Sequence, residues 1–242
     1  INAPLLREII KRTAFATDNE SSRYALGGVL MEMSDNHIIA VGTDGRRLAK
    51  MEGAATAHGG HSTVDNPTII PTRALTLIER AIGDEGEVKI AARGNDLLVH
   101  NERLTLYTRL VEGRFPRWRD VLPKRPDATK IPIQVGSLLE AVRQAAIVTS
   151  DESRGVDFKF GGGKLDLHAN TAQVGESEAS MIVAYDGPGI TITLDPRFMI
   201  DFLKVLPLDR TIIFEAMDGS GPAVLSTDDG YQYVIMPLSR DR

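Results

Sequence analysis

The chain has 242 residues, 42% hydrophobic and 25% charged, with a formal net charge of −5 and no cysteine. This is globular composition with ample core material. It excludes a disulfide framework and thiolate chemistry, so a reducing, cytoplasmic compartment is expected. No apolar run approaches the roughly 18 residues of a spanning helix, and no signal-peptide pattern is read. A start at Ile1 instead of Met reads as a processed or truncated product. The acidic balance argues mildly against nucleic acid but is silent on how the charges are distributed.

In chain order, Leu5, Leu6, Ile9, Ile10 and Thr13 form a helical stripe. Strands are predicted over about 24–33, 37–43, 47–53 and 66–70, with a helix over 72–82. A meander follows over 87–92, 96–101 and 103–110, turning at Gly94-Asn95 and Asn101-Glu102. Between the second and third strands, VGTDGRRLAK (41 to 50) sets an Asp-Gly pair and two arginines between apolar shoulders. Read locally it is a hairpin turn, since Gly tolerates positive φ and Asp bonds its own backbone.

The chain then repeats itself. LLREIIKRTAFATDNESSRYALGGVL from Leu5 resembles LLEAVRQAAIVTSDESRGVDFKF from Leu138, and TRALTLIERAIGDEGEVKI from Thr72 resembles PRFMIDFLKVLPLDRTIIF from Pro196. An offset of 124 sets Arg73 on Arg197, Arg80 on Lys204, Val88 on Ile212 and Ile90 on Phe214; two inserted residues later, Tyr107 falls on Tyr233. FKFGGGKLDL (158 to 167) reads as a glycine hairpin of the second copy. Two similar domains are expected, 1–122 and 123–242, joined near VLPKRPDATK. Strand runs interrupted by two helices per copy argue for an α+β class.

Each repeated helix pairs an apolar stripe with cations. Arg73 and Arg80, seven apart, share one helix face, and Arg197 with Lys204 stand equivalently; Arg7, Lys11 and Arg143 lie on the first helix of each copy. Plain surface solvation with local ion pairs is the first reading of this pattern; the functional alternative is sequence-blind phosphate contact. With 5% aromatic residues there is no stacking platform for single strands.

No catalytic or metal constellation is convincing. His58-Gly-Gly-His61 sits in a small-residue loop, and a single histidine pair is too few ligands. Gly161-Gly162-Gly163-Lys164 lacks the Ser/Thr of a phosphate loop and joins two strands. Ser150-Asp151-Glu152-Ser153 reads as a helix end, and Asp228-Asp229 as a hairpin. No cofactor and no metal are expected. A hydrolase with dispersed carboxylates on a duplicated scaffold remains the alternative from another class, and a non-DNA interaction module is a second.

Six pieces in one order carry a resemblance: RYALGGVLME (23 to 32), GTDGRRLA (42 to 49), VEGRFPRWRDVLP (111 to 123), DESRGV (151 to 156), LHANTAQVGES (167 to 177) and YVIMPL (233 to 238). Together they resemble the bacterial sliding clamp, the β subunit of DNA polymerase III, over essentially the whole chain. The resemblance implies a DNA clamp fold in which the two repeats are the second and third of three domains, the first being absent. It implies a two-chain, head-to-tail ring around duplex DNA, with helices lining the hole, and a processivity factor, not an enzyme. Clamp loader, polymerase subunits and other clients would dock by short peptides. The residues implied for the client pocket are Arg23, Leu26, Thr43, Gly45, Arg46, Arg47, Leu48, Pro116 and Val121 from the first copy. Phe198, Pro222, Ile235, Met236, Pro237 and Leu238 join them from the second. The residues implied to face DNA are Arg7, Lys11, Arg73, Arg80, Arg143, Arg197 and Lys204. Asp120 and Ser153 depart from the family pattern, and the ending MPLSRDR is longer than usual. Full-length chains would be dimeric; this chain alone would be a monomer.

Overall fold

The computed structural model describes residues 1–18, 20, 25–64, 66–123, 128–150 and 154–238. The chain divides into two compact units, Ile1–Leu122 with Asp229–Tyr231, and Pro123–Asp228 with Gln232–Arg242.

The first unit opens with α1 (Ala3–Thr13), a 3-10 turn (Ala14–Ala16) and three strands, β1 (Gly28–Ser34), β2 (His37–Thr43) and β3 (Arg47–Ala54). It continues with β4 (Ile69–Pro71), α2 (Thr72–Ala81), β5 (Lys89–Arg93), β6 (Asp96–His100), β7 (Thr105–Arg109) and a 3-10 turn at Trp118–Asp120. The strands β4-β1-β2-β3 pair antiparallel in that order, and β5-β6-β7 form a three-stranded sheet. Leu6, Ile9 and Ile10 of α1 and Leu75 and Ile78 of α2 are buried, as the 3.6-residue period of the apolar positions requires. The two helices pack side by side.

The second unit contains β8 (Thr129–Gln134), α3 (Val135–Ala145), a 3-10 turn (Ala146–Val148), β9 (Val156–Gly161), β10 (Lys164–Thr171) and β11 (Gly175–Ile182). After these come β12 (Ile190–Leu194), α4 (Pro196–Lys204), β13 (Thr211–Ala216), β14 (Ala223–Ser226) and β15 (Tyr231–Ile235). One sheet runs β11-β10-β9-β12, and β8, β13, β14 and β15 are neighbours in another. Aromatic rings fill its core: Phe160 meets Phe214 at a centroid distance of 4.8 Å, and Phe202 stacks on Tyr233 at 4.9 Å.

The repeat is structural as well as sequential, at an offset of 132 for the first helices instead of the 133 that matching Leu5 to Leu138 implies. Both are followed by a three-residue 3-10 turn. Both stops are sealed by a threonine: Thr17 Oγ1 donates to Ala14 O and Thr149 Oγ1 to Ala146 O, each at 2.8 Å. Leu6 therefore stands on Leu138, Ile10 on Val142 and Lys11 on Arg143. The tyrosine pairing fails in environment: Tyr107 is 64% exposed, bonded to Asp96, whereas Tyr233 is fully buried. The first strand begins at Gly28, later than the expected 24, and the short strand covers Ile69–Pro71 instead of 66–70. β1 starts where a glycine permits close approach, since a Cβ on Gly28 would lie 2.4 Å from Ile70 O.

Candidate functional site

The TDGRR segment is a turn whose side chains are largely consumed in holding it. Thr43 Oγ1 donates to Arg47 O at 2.6 Å and accepts from Gly45 N at 3.1 Å. Asp44 Oδ1 accepts from the backbone N–H groups of Arg46 (2.9 Å) and Arg47 (3.0 Å). Its Oδ2 accepts from Arg47 Nε at 2.9 Å. Gly45 has φ 87°, and no atom lies within 4 Å of where its Cβ would stand, so glycine serves the backbone angle there, not space. Arg47 Nη2 reaches Phe15 O at 3.0 Å, with the guanidinium over the Phe15 ring. Of the two arginines, Arg46 alone is exposed at the tip. The turn explains the two glycine-flanking polar residues; the exposed Arg46 is what it offers outward.

Further backbone bonds fix the other first-unit positions. Asp18 N donates to Leu26 O at 2.9 Å, and Ala25 N to Arg114 O at 3.2 Å, which draws the segment at Arg114 toward Leu26. Trp118 N closes on Pro116 O at 2.8 Å, and Val121, the residue after the 3-10 turn, is 38% exposed. Thr43, Leu26 and Leu48 are buried, so they can shape a surface only from beneath, whereas Arg46, Pro116 and Val121 reach solvent. Arg23 lies outside the described residues, as do Asp151–Ser153 of the DESRGV motif.

In the second unit Ile235 is fully buried at the end of β15, Met236 is 44% exposed, and Pro237 and Leu238 are half-buried. The tail after β15 runs along β12, where Leu238 N donates to Thr193 O at 2.9 Å. β12 leads directly into α4, whose half-buried Phe198 has its carbonyl capped by Tyr233 Oη at 3.1 Å. Leu238 is thus held against β12, and Phe198 against β15. Pro222 is half-buried beside the Asp218 loop, whose carboxylate accepts from Ser220 N and Gly221 N at 2.9 Å each.

The basic positions all lie on the four helices. Lys11, Arg73, Arg80, Arg143, Arg197 and Lys204 are exposed. Arg7 is half-buried and ion-paired with Asp84. Arg197 is held by its own N-cap, its Nη2 at 2.7 Å from Asp195 Oδ2. On α2, Arg73, the exposed Leu77 and Arg80 make one outward stripe.

Two arrangements were not legible from spacing. Arg12 is a buried arginine with 5% of its side chain exposed, ion-paired with Asp229 at 2.8 Å and with Glu8 at 2.9 Å; Tyr231 Oη donates to Arg12 O at 2.8 Å. Nothing in the local sequence distinguishes it from Lys11 beside it. The second is Glu32, which accepts from Trp118 Nε1 at 3.2 Å and from Arg119 Nη1 at 3.0 Å and raises the Arg119 pKa through that bond.

Among the described residues one carboxylate, Glu52, is clearly displaced in its pKa. Burial pushes the Glu52 carboxyl up, but the hydrogen bond and charge of Lys50, at 2.6 Å, with help from His37, outweigh it and hold the pKa below the ordinary range. An ion pair accounts for that shift in full. Among the described residues one group, His168, Glu176 and Glu178, sets three ligand atoms within 4.8 Å of one another. It lies on the β10–β11 hairpin, with His168 Nε2 and Glu176 Oε1 already in hydrogen-bond contact. His61 Nε2 accepts from Ala92 N at 3.3 Å instead of facing His58 as a co-ligand. No helix among the described residues is long and apolar enough to cross a membrane.

Known proteins share this chain's sequence and fold. A Beta sliding clamp of Chlamydia pneumoniae is 33% identical over 236 residues, covering 98% of this chain and 63% of the relative. One from Pseudomonas putida is 30% identical over 238 residues, covering 96% of this chain and 63% of its own length. The chain thus spans less than two thirds of these relatives. Among solved structures, a ligand-bound DNA polymerase sliding clamp of Pseudomonas aeruginosa matches with TM-score 0.91 and 28% identity over 99% of this chain and 66% of the other. A clamp from the same organism bound to griselimycin matches with TM-score 0.89 and 28% identity, over 99% of this chain and 64% of the other. Residues 1–117 match the family model for the DNA polymerase III beta subunit, central domain, and 119–239 the model for its C-terminal domain. Two consecutive domains of one subunit, in order and filling the chain, make this protein a member of the DNA polymerase III beta subunit, or bacterial sliding clamp, family.

Proposed function

We propose that the chain acts as part of a sliding clamp, a cytoplasmic, non-catalytic processivity factor that tethers polymerase III subunits and other clients to duplex DNA. The observation that carries the reading is the match of both halves, in order, to consecutive domains of that subunit. The helix cations fit sequence-blind phosphate contact, which holds DNA while permitting movement along it. The clamp-loader and client peptides would be met by Arg46, Pro116 and Val121 on the first unit. On the second, Phe198 and the Met236–Leu238 tail would take them. Methionine and proline suit that task, one adaptable and the other rigid. In the full-length subunit two chains would close a ring.

Fluorescence anisotropy of a labelled Gln-Leu-x-Leu-Phe peptide tests the reading. Saturable binding to the wild type, lost in Met236→Ala and weakened in Arg46→Ala, is the expected result. A folded wild type that fails to bind would overturn it. Both positions are exposed, so either variant should fold.

A further inference from the structure

Glu32 stands on β1, opposite Ile39 of β2, and holds a segment 86 residues further along the chain. Its Oε1 accepts from Trp118 Nε1 at 3.2 Å and from Arg119 Nη1 at 3.0 Å, while its Oε2 accepts from Arg119 Nη2. The Arg119 guanidinium lies over the Trp118 ring, 4.2 Å from its centroid, so the three side chains close on one another. The turn they hold is internally braced. Trp118 N donates to Pro116 O at 2.8 Å, and Asp120 N to Arg117 O and Val121 N to Trp118 O at 3.1 Å each. Arg117 Nε pairs with Asp120 at 3.1 Å. Residues 116–121 therefore form a small block with Pro116 and Val121 at its two ends.

The stretch before this block is tied by backbone bonds, Leu110 N to Asn95 O, Val111 N to Ile69 O and Ala25 N to Arg114 O. From Phe115 to Leu122, among the described residues, Glu32 alone hydrogen-bonds the chain to a strand. Trp118 is 5% exposed, so its ring also holds the block by burial. Apolar burial is non-directional and leaves the block's rotation open. A carboxylate gripping an indole N–H and a two-pronged guanidinium closes that freedom.

We propose that Glu32 is a positioning residue for client peptides, setting through Trp118 and Arg119 the orientation in which Pro116 and Val121 meet them. The inference rests on the client-docking reading above. Glu32 itself has 17% of its side chain exposed, with both oxygens taken up by Trp118 and Arg119, and acts without touching the peptide.

The test measures anisotropy of the labelled Gln-Leu-x-Leu-Phe peptide with Glu32→Ala, Val121→Ala and Arg46→Ala, and with Glu32→Ala combined with each of the other two. Glu32→Ala is expected to weaken binding about three- to tenfold. Val121→Ala should cost several-fold alone but less than about twofold in the Glu32→Ala background, where its side chain is already misplaced. Arg46→Ala, on the β2–β3 turn, should keep its full effect there, a split that general destabilisation would not produce. Trp118 is the one tryptophan of the chain, so its emission reports the block, and a red shift in Glu32→Ala is expected. If Glu32→Ala does not fold, the isosteric Glu32→Gln, which loses the charge facing Arg119, takes its place in each comparison. Wild-type affinity in the folded Glu32 variant, or a full additive loss from Val121→Ala within it, would overturn the proposal. A wild type that binds no peptide would instead bring down the docking reading and the proposal together.

Discussion

Arg47 and Phe15 are joined twice, by the guanidinium donating to the Phe15 carbonyl at 3.0 Å and by its stacking over the Phe15 ring at 5.4 Å. With the Asp44 ion pair, this makes Arg47 a strut between the β2–β3 turn and the 3-10 turn after α1. Its neighbour Arg46 makes no such commitment. Arg47→Ala is therefore expected to cost about 1–3 kcal/mol of stability. Arg46→Ala should stay within about 0.5 kcal/mol of wild type while weakening peptide binding several-fold. Urea unfolding and anisotropy on the same two variants separate the roles. Equal effects on stability would remove the distinction.

Gly42 and Gly45 are close in sequence and needed for different reasons. A Cβ on Gly42 would lie 2.2 Å from the backbone oxygen of Thr13, in α1, which cannot yield like a side chain. Gly42→Ala should cost roughly 3 kcal/mol or more by forced overpacking. Gly45→Ala meets no atom and bears only the cost of positive φ, about 1–2 kcal/mol. Denaturant midpoints of the two variants give the order directly, and a reversed order would refute both assignments.

Glu52 gives the acid limb of stability a local source. Its pKa in the folded chain lies below the ordinary 4.5, so its contribution is complete above that value and is lost as pH falls through the lower folded value. With a third of the side chain exposed, screening keeps the contribution to about 0.2–1 kcal/mol. Glu52→Gln should flatten the stability profile below about pH 4.5 and leave its slope near pH 7 unchanged. Thermal melts across the acid range read this out.

Duplex binding by this chain should be weak and fade with added salt. Each phosphate contact removed lowers the log–log salt slope by about 0.9. Arg73→Ala with Arg80→Ala should reduce it by about twice that, with no change in sequence preference. Titrations at several salt concentrations measure the slope. Tight, salt-insensitive binding would contradict backbone contact.

Much of the fold was readable because period and turn chemistry agreed. His37–Thr43 and the start of β3 at Arg47 follow from two apolar runs around an Asp-Gly turn, and α2 from its apolar stripe. Side-chain fate was less readable. Leu48 and Ile235 belong to motifs that resemble a binding surface, yet both are buried, because they stand in strand segments buried on both faces, 48–51 of β3 and 233–235 of β15. A Leu48→Ala test would report on the core, which is why Arg46 and Met236 serve better. Arg12 was hidden for the opposite reason: its partner Asp229 is 217 residues away, and no local spacing records such a distance. Tyr107 and Tyr233 occupy matching places with opposite exposure because packing, not the aligned letter, decides burial.

The threonines that end α1 and α3 carry a consequence in time. Each closes its helix with a bond spanning three residues, Thr17 to Ala14 and Thr149 to Ala146. A stop written so locally needs no distant segment in place. It can form with the helix itself, on the order of a microsecond, long before the sheets, whose strands must first find one another across loops, are complete. The two copies therefore share an early local contact at matching places, available while the remainder of each unit is still searching for its register.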